Sequence, residues 1–488
     1  MTRLFLAIPV CLLGLLTACG TVSPPSQQGV AEDPLYSPCL AWFEQMDREV
    51  YSHGVHDAQY HAIPGLPYLR TNRFLSSFDP EILEQDRYRR WFQVLLQNDQ
   101  EARFVEWQNL PISVSSALTP PVDMNPREAI RKCGTILGRQ LVANPRIKKH
   151  LQSSKTVPDQ YSSIKRLLGL YPLTALFFRR GIEHWQERVR LGYNRPISSI
   201  PVKGALIRYR PPDSAIKKFN PDIITDPLFP MLSQKQWRVL FDRFAPIWEV
   251  DAVDANDRIG RPGWSSERIQ IDTTRPEIYY LPSLSRLNEQ TLLQLNYFIW
   301  FPARPKTGAL DLLGGHVDGL IFRVTLNQQG RILAYDSIHS CGCYYLLFPH
   351  QFKPPARQKG WAEPVLMPQQ APVPGVNERL VIRLSHRDHQ IQRLYIDQAD
   401  SDGNQYTLIP YERLRNLSEN KDNEKARYRS MFDAKGLVRG TQRLERWFFW
   451  PMGIRSPGAM RQWGTHAIAF IGKRHFDDAR LLEPYLDN

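Results

Sequence analysis

Among the residues from Gly314 to Cys343, two imidazoles, a carboxylate and two thiols could act together: His316, Asp318, His339, Cys341 and Cys343. Imidazole, carboxylate and thiolate together make a zinc donor set, and a coordination position left to water would yield a nucleophile near neutral pH. The same groups admit thiol catalysis, with Cys341 or Cys343 as nucleophile, a histidine as base and Asp318 to orient it. A third reading is structural: the histidines close a sheet by hydrogen bonding and the cysteines form a local pair. No zinc motif of standard spacing is matched, and the order His, Asp, His, Cys departs from the common cysteine-peptidase orders.

Residues 316–341 are predicted to form the β-hairpin that would bring these groups together. Leu320, Phe322, Val324 and Leu326 alternate with Ile321, Arg323 and Thr325, the period of a strand with one face in a core. Asn327, Gln328, Gln329 and Gly330 supply a turn, and Arg331 to His339 alternates again. Pairing Leu326 with Arg331 sets Asp318 opposite His339 and His316 opposite Cys341, all on the face of Leu320, Phe322, Leu333 and Tyr335. A one-residue slip would turn one strand over and disperse the cluster.

At 488 residues, 42% hydrophobic and 23% charged, the chain is an ordinary globular sequence long enough for two domains. The expected class is α+β: a helical domain over 37–194, a Pro-rich linker over 195–230, and a mainly antiparallel β domain over 231–488. Ser37-Pro38, Asp79-Pro80-Glu81 and Asn125-Pro126 mark three helix starts. Cys39 shares a stripe with Trp42, Phe43 and Met46, and Cys133 shares one with Ile130, Leu137 and Leu141. Two cysteines on buried faces predict a Cys39–Cys133 disulfide, against two buried free thiols. The run 167–178, LLGLYPLTALFF, reads as a buried helix, with an interfacial membrane segment as the alternative.

From about residue 266 strands take over: 268–272, 278–281, 292–301, 380–384 with 391–396, 446–450 and 466–471. Strands joined by short polar turns argue for antiparallel sheet. His386-Arg387-Asp388-His389 falls where a hairpin turn is expected and reads as exposed turn polarity. Lys473 to Asp478 reads as a loop capping a last short helix with Asp477 or Asp478.

At the N-terminus, Arg3, the apolar run Leu4 to Leu16 and the sequence Leu16-Thr17-Ala18-Cys19 resemble the signal and lipobox of bacterial lipoproteins. The resemblance implies removal of residues 1–18, a diacylglycerol thioether and an acylated amino group on Cys19, and a polar tether over 19–36. Gly20 after the cysteine implies delivery to the outer membrane of a two-membrane bacterium, facing the periplasm. A second resemblance covers roughly Tyr297 to Tyr345. Phe301-Pro302, Gly315-His316, Asp318 and Ser337-x-His339 resemble steps of the necrosis-inducing-type proteins, whose metal motif carries over only to His316 and Asp318. The Trp-Glu end of that motif is missing and the spacing is short, and toxicity is not carried over.

Formal net charge is +13, and in an exported protein that excess points to the envelope rather than to nucleic acid. Residues 179–218 concentrate it, with Arg179, Arg180, Arg188, Arg190, Arg208 and Arg210 as candidates for anionic lipid or cell-wall glycan; a solvated basic face is the plain alternative. The leading expectation is a lipid-anchored envelope protein that binds or maintains structure through its β domain. Its rivals are a zinc-type hydrolase built on His316, Asp318, His339 and Cys341, and a cysteine-dependent hydrolase.

Overall fold

A computed structural model of the chain describes residues 33–142, 144–212, 224, 226–351, 362–399, 402–419 and 427–486. The signal, Cys19 and nearly all of the tether lie outside the described residues. The class is α+β, with helices leading and mainly antiparallel sheet following.

Helices Tyr36–Ser52, Gln85–Asn109 and Pro126–Val142 pack with the short hairpin His61–Ile63 and Leu66–Thr71 around Trp91, Phe43, Leu69 and Leu137. Cys39 and Cys133 are bonded across two of these helices, as their shared burial predicted. The Gln85–Asn109 helix starts later than Asp79-Pro80-Glu81 implied; Asp79 instead accepts a hydrogen bond from the Glu81 amide in a turn. Inside this layer Arg70 bonds Glu106 and Asp99, and Arg103 bonds Asp99 and Asp47, so its buried charges are paired.

The β region is two sheets face to face. A six-stranded sheet is ordered Leu346–Pro349, Ile332–His339, Gly315–Leu326, Gln290–Arg304, Glu277–Leu287, Thr407–Pro410. A five-stranded sheet is ordered Ile391–Gln398, Glu378–Leu384, Ile247–Ala252, Ala205–Arg210, Asn404–Gln405. Trp248, Val250, Ile382 and Leu394 of the second meet Leu320, Phe322, Val324 and Leu295 of the first. The strand Ala205–Arg210 thus falls inside the stretch expected to be a linker. The other face of the six-stranded sheet is covered by Tyr411, Met431, Trp463 and Phe476 from the last eighty residues. Burial on both faces explains why Gln290–Arg304 and Gly315–Leu326 are buried almost end to end. It also explains Arg323, which points away from Leu320 and Phe322 yet is buried, paired with Asp336 and lying 3.8 Å over the Phe476 ring.

Three expectations give way. Residues 446–450 are not a strand but part of the helix Glu445–Phe449 and the turn after it. Residues 466–471 form no strand, making only the isolated bridge Ala467 to His475. The final helix, Glu483–Leu486, is short and ends where expected. The apolar run 167–178 is helical but not buried: it spans Ser163–Leu168 and the start of Tyr171–Tyr193, with Leu167, Leu168, Leu170, Leu173, Leu176 and Phe177 exposed. No helix among the described residues is long and apolar enough to cross a membrane.

Candidate functional site

The hairpin is present, but its register is two residues from the expected one. Leu326 pairs with Ile332, one residue beyond Arg331, and an irregularity between Ile332 and Ala334 adds the second residue, so Ala334 pairs with Thr325 and His339 with Leu320. An even shift keeps every side chain on its face, so Asp318 and His339 still meet: His339 Nδ1 lies 3.9 Å from Asp318 Oδ1. Next to Asp318 in the strand is Gly319, which faces the opposite side of the sheet. A Cβ there would lie 2.7 Å from Ser340 Oγ, 2.8 Å from Trp300 Cε3 and 2.9 Å from the Ile299 carbonyl oxygen, so only glycine lets the strands approach this closely.

The other three candidates go elsewhere. His316 Nε2 lies 2.6 Å from the Ile269 carbonyl oxygen. Beyond His339 the chain turns back, with the Gly342 amide donating to the His339 carbonyl oxygen, and Cys341 joins the core on the opposite sheet face beside Ile338 and Trp463. Cys341 and Cys343 are free thiols that interact with each other. The hydrogen bond from Cys343 draws the Cys341 thiol down, and the same bond with burial pushes Cys343 up. Among the described residues no group of three or more His, Cys, Asp or Glu side chains is placed to hold a metal ion.

What surrounds Asp318 was not expected. It is fully buried and accepts from Arg443 Nη2 at 2.9 Å and pairs with His389 Nδ1 at 2.8 Å. His389 Nε2 in turn faces Asp257 Oδ1 at 3.3 Å, and its ring lies flat on Phe301, centroids 3.8 Å apart. Burial opposes the Asp318 charge, but Arg443 and the two histidines hold its carboxyl far below the usual range. His389 is shifted the other way: burial disfavours its cation, and the carboxylates of Asp257 and Asp318 outweigh that and raise it. His389 belongs to the tetrapeptide expected to be exposed turn polarity. Instead it is completely buried, because the turn between Glu378–Leu384 and Ile391–Gln398 folds inward, with Arg387 and His389 both at positive φ. The one available signal was four ionisable residues crowded between two apolar strands.

His339 is the member of this group that reaches a cavity. Burial, with Arg304 and Arg443 nearby, keeps its imidazole neutral, its pKa held down to about 3. Its Nε2 is buried with no hydrogen-bond partner among the described residues. The residue lines a cleft of about 340 Å³ walled by Trp185, Tyr193 and Tyr344, with Ser337, Ser385, Asp388, Gln390 and Gln392 as its polar groups. Trp185 and Tyr193 come from the Tyr171–Tyr193 helix, which lies along the open end of the sandwich. Asp388 is fixed by Arg304 at 3.0 Å and Arg387 at 2.9 Å.

The six arginines expected to form one anionic-binding stripe are divided. Arg179, Arg180, Arg188 and Arg190 lie on the Tyr171–Tyr193 helix, whereas Arg208 and Arg210 belong to the five-stranded sheet. Arg208 is taken up by Asp397 at 2.6 Å and Glu249 at 3.3 Å.

No protein-family model matches the chain, and no curated protein matches it. A solved structure described as "Toxin fold for microbial attack and plant defense" aligns with 38% of this chain and 80% of its own, at 16% identity and a TM-score of 0.21. A similarity at that score settles neither fold nor activity.

Proposed function

We propose that this chain is a lipid-anchored protein of the bacterial envelope that binds, rather than cleaves, a cell-wall glycan in the cleft beside His339. The observation that carries the reading is an aromatic-lined cleft with His339 in its wall, a residue whose buried Nε2 has no hydrogen-bond partner among the described residues. A buried polar atom without a partner is costly, and a ligand hydroxyl that satisfies it gains correspondingly. Trp185 and Tyr344, both half-buried, are aromatic residues of the kind that stack on a sugar ring, and serine, glutamine and Asp388 offer directional hydrogen bonds around them.

Binding is favoured over the two hydrolytic readings because the reactive groups are engaged with each other. The Asp318 oxygens are taken by Arg443 and His389, Cys343 has a raised thiol pKa, and His316 is held by a backbone carbonyl. Export and lipidation rest on the lipobox-like sequence ending at Cys19.

The test is calorimetric titration of the full chain with soluble N-acetylated amino-sugar oligomers released from purified cell wall. Saturable binding is expected, weakened about tenfold or more by Trp185→Ala, which corresponds to about 1.4 kcal/mol. Absence of saturable heat sinks the glycan reading. Appearance of new reducing ends during the titration would return the case to hydrolysis.

A further inference from the structure

A cluster of large apolar side chains lies on the outside of the molecule. The helix Ser163–Leu168 ends at Gly169, Leu170 takes a left-handed turn with φ +47°, and the Tyr171–Tyr193 helix begins with Pro172 in its first turn. Gly169 sits against Pro451, where a Cβ would lie 2.5 Å from the proline Cβ, and this locks the corner onto the segment 445–452. Phe178 packs on Phe448 and on Phe449, each with centroids 5.2 Å away, and Phe449 stacks on Phe470 at 4.5 Å. From this joint base, large apolar side chains project into solvent: Leu167 and Phe177 are each 76% exposed, Leu173 60%, Trp447 68% and Phe448 57%. Single exposed apolar residues are ordinary, but a cluster drawn from two segments marks a contact surface.

Three further features say what covers it. Beneath the surface is a cavity of about 700 Å³ walled by Phe177, Phe178, Ile182, Phe448, Phe449 and Phe470. Glu363 and Glu445 also reach its wall, and burial pushes both carboxyls up, Glu445 to about 7. Exposed Arg180 and Arg188 follow on the same helix, Lys165 precedes it, and Arg446 stacks on Trp447 at 4.9 Å. Cations and tryptophan bordering an apolar surface are the composition of a membrane–water interface. Finally, if Cys19 carries the lipid, at most about 60 Å of extended chain separates the bilayer from the first helix at Tyr36.

We propose that this surface, built from residues 164–177 and 447–450, seats the protein on an anionic bilayer and that the cavity beneath it receives an acyl chain. It is a contact separate from the cleft beside His339, although Trp185 and Tyr344 line both cavities. Docking here would orient the β sandwich relative to the membrane, which a lipid on Cys19 alone would not do.

The experiment uses the full chain with vesicles of phosphatidylethanolamine and phosphatidylglycerol whose acyl chains carry bromine, a short-range quencher of tryptophan. Flotation reports attachment by any route; quenching reports burial of Trp447 and Trp450 among acyl chains. Expected is a loss of tryptophan emission on the vesicles, most of which disappears in the Trp447→Phe/Trp450→Phe variant. Leu173→Glu with Phe177→Glu should abolish the loss while leaving the circular dichroism spectrum unchanged. If the chain floats but emission is not quenched, or is quenched equally in the phenylalanine variant, the docking surface is refuted while the lipid on Cys19 stands. If the chain does not float at all, both fall. Concentration-dependent dimers that the two glutamates abolish, without quenching, would assign the surface to a second copy of the chain and overturn the proposal.

Discussion

Trp185 and Tyr344 stand between two regions that invert the usual distribution of side chains. On one side, Asp318, His389, Asp257, Arg443 and Arg304 lie almost wholly inside the molecule. On the other, Leu167, Leu173, Phe177, Trp447 and Phe448 lie outside it. Buried charges are tolerated when each is paired and hydrogen-bonded; each charge here has an ion-pair partner, but His389 Nε2, Arg443 Nε, Arg304 Nε and Nη1 and the neighbouring His339 Nε2 have no hydrogen-bond partner among the described residues. Exposed leucine and phenylalanine gain nothing from the fold. The lesson is that the polar group is held by ion pairs within the protein, whereas the apolar surface is open throughout and looks outward for its partner.

Removing Asp318 should break the first region hardest. Asp318→Ala leaves Arg443 and His389 buried without their shared anion, and loss of one partner from such a network typically costs about 3–5 kcal/mol. Urea unfolding should show a midpoint lowered accordingly with the slope unchanged. A loss below about 1 kcal/mol would mean that the network does not hold the sheet end together. Gly319→Ala should come next. The added methyl meets backbone at Ile299 as well as Trp300 and Ser340, and overpacking of that kind costs about 1–3 kcal/mol. A neutral result would show that the two strands approach less closely than described.

How far this region was legible in the sequence depends on which physical signal carried each part. The meeting of Asp318 and His339 survived a register error because strand faces repeat every two residues and the error was two. The Cys39–Cys133 bond was legible because each cysteine sat on its helix's apolar stripe. His389 was missed because ionisable residues in a tight turn ordinarily face water, and nothing local records that this turn folds over a ring stack on Phe301. Arg443 and Asp257 are far from Asp318 along the chain and carry no spacing signal. The aromatic run Arg446 to Trp450 favours a strand by propensity, but its packing against Phe178 and Phe470 made it a helix. Residues 167–178 were recognisable as apolar and helical. Composition cannot say which side of a surface an apolar stripe will face, and burial in the chain's own core was the wrong default.

The His339 ring gives a smaller and more selective probe. Its folded pKa near 3 lies below the ordinary histidine value of 6.5, so the unfolded chain takes up a proton first as pH falls. The stability it contributes is complete above 6.5 and is lost progressively as pH falls towards 3. Between pH 6.5 and 5.5 the share of His339 is about 1 kcal/mol. His466 is buried and lowered to about 3 as well, so the measurement is the difference between wild type and His339→Gln over that interval. Equal pH slopes in the two proteins would mean that the ring already has a partner and that the cleft offers a ligand nothing there. Saturating ligand should shift the same difference, since it binds only the folded ring.

The smallest effect should come from the exposed apolar cluster. Leu173→Glu with Phe177→Glu puts two charges where the side chains already face water, and surface changes of this kind usually alter stability by less than about 0.5 kcal/mol. The contrast with Asp318 is the point: deleting one charge from the interior should cost several times more than adding two charges outside. Phe177 also walls the apolar cavity, so its loss has one route by which it could matter to the fold, through the Phe178, Phe448 and Phe449 contacts next to it. If urea unfolding shows the double variant destabilised by 2 kcal/mol or more, those rings depend on Phe177 for packing and the surface is part of the core after all. If stability is unchanged while vesicle quenching is lost, the exposed side chains contribute to attachment and not to folding, which is the separation of roles that the two regions imply.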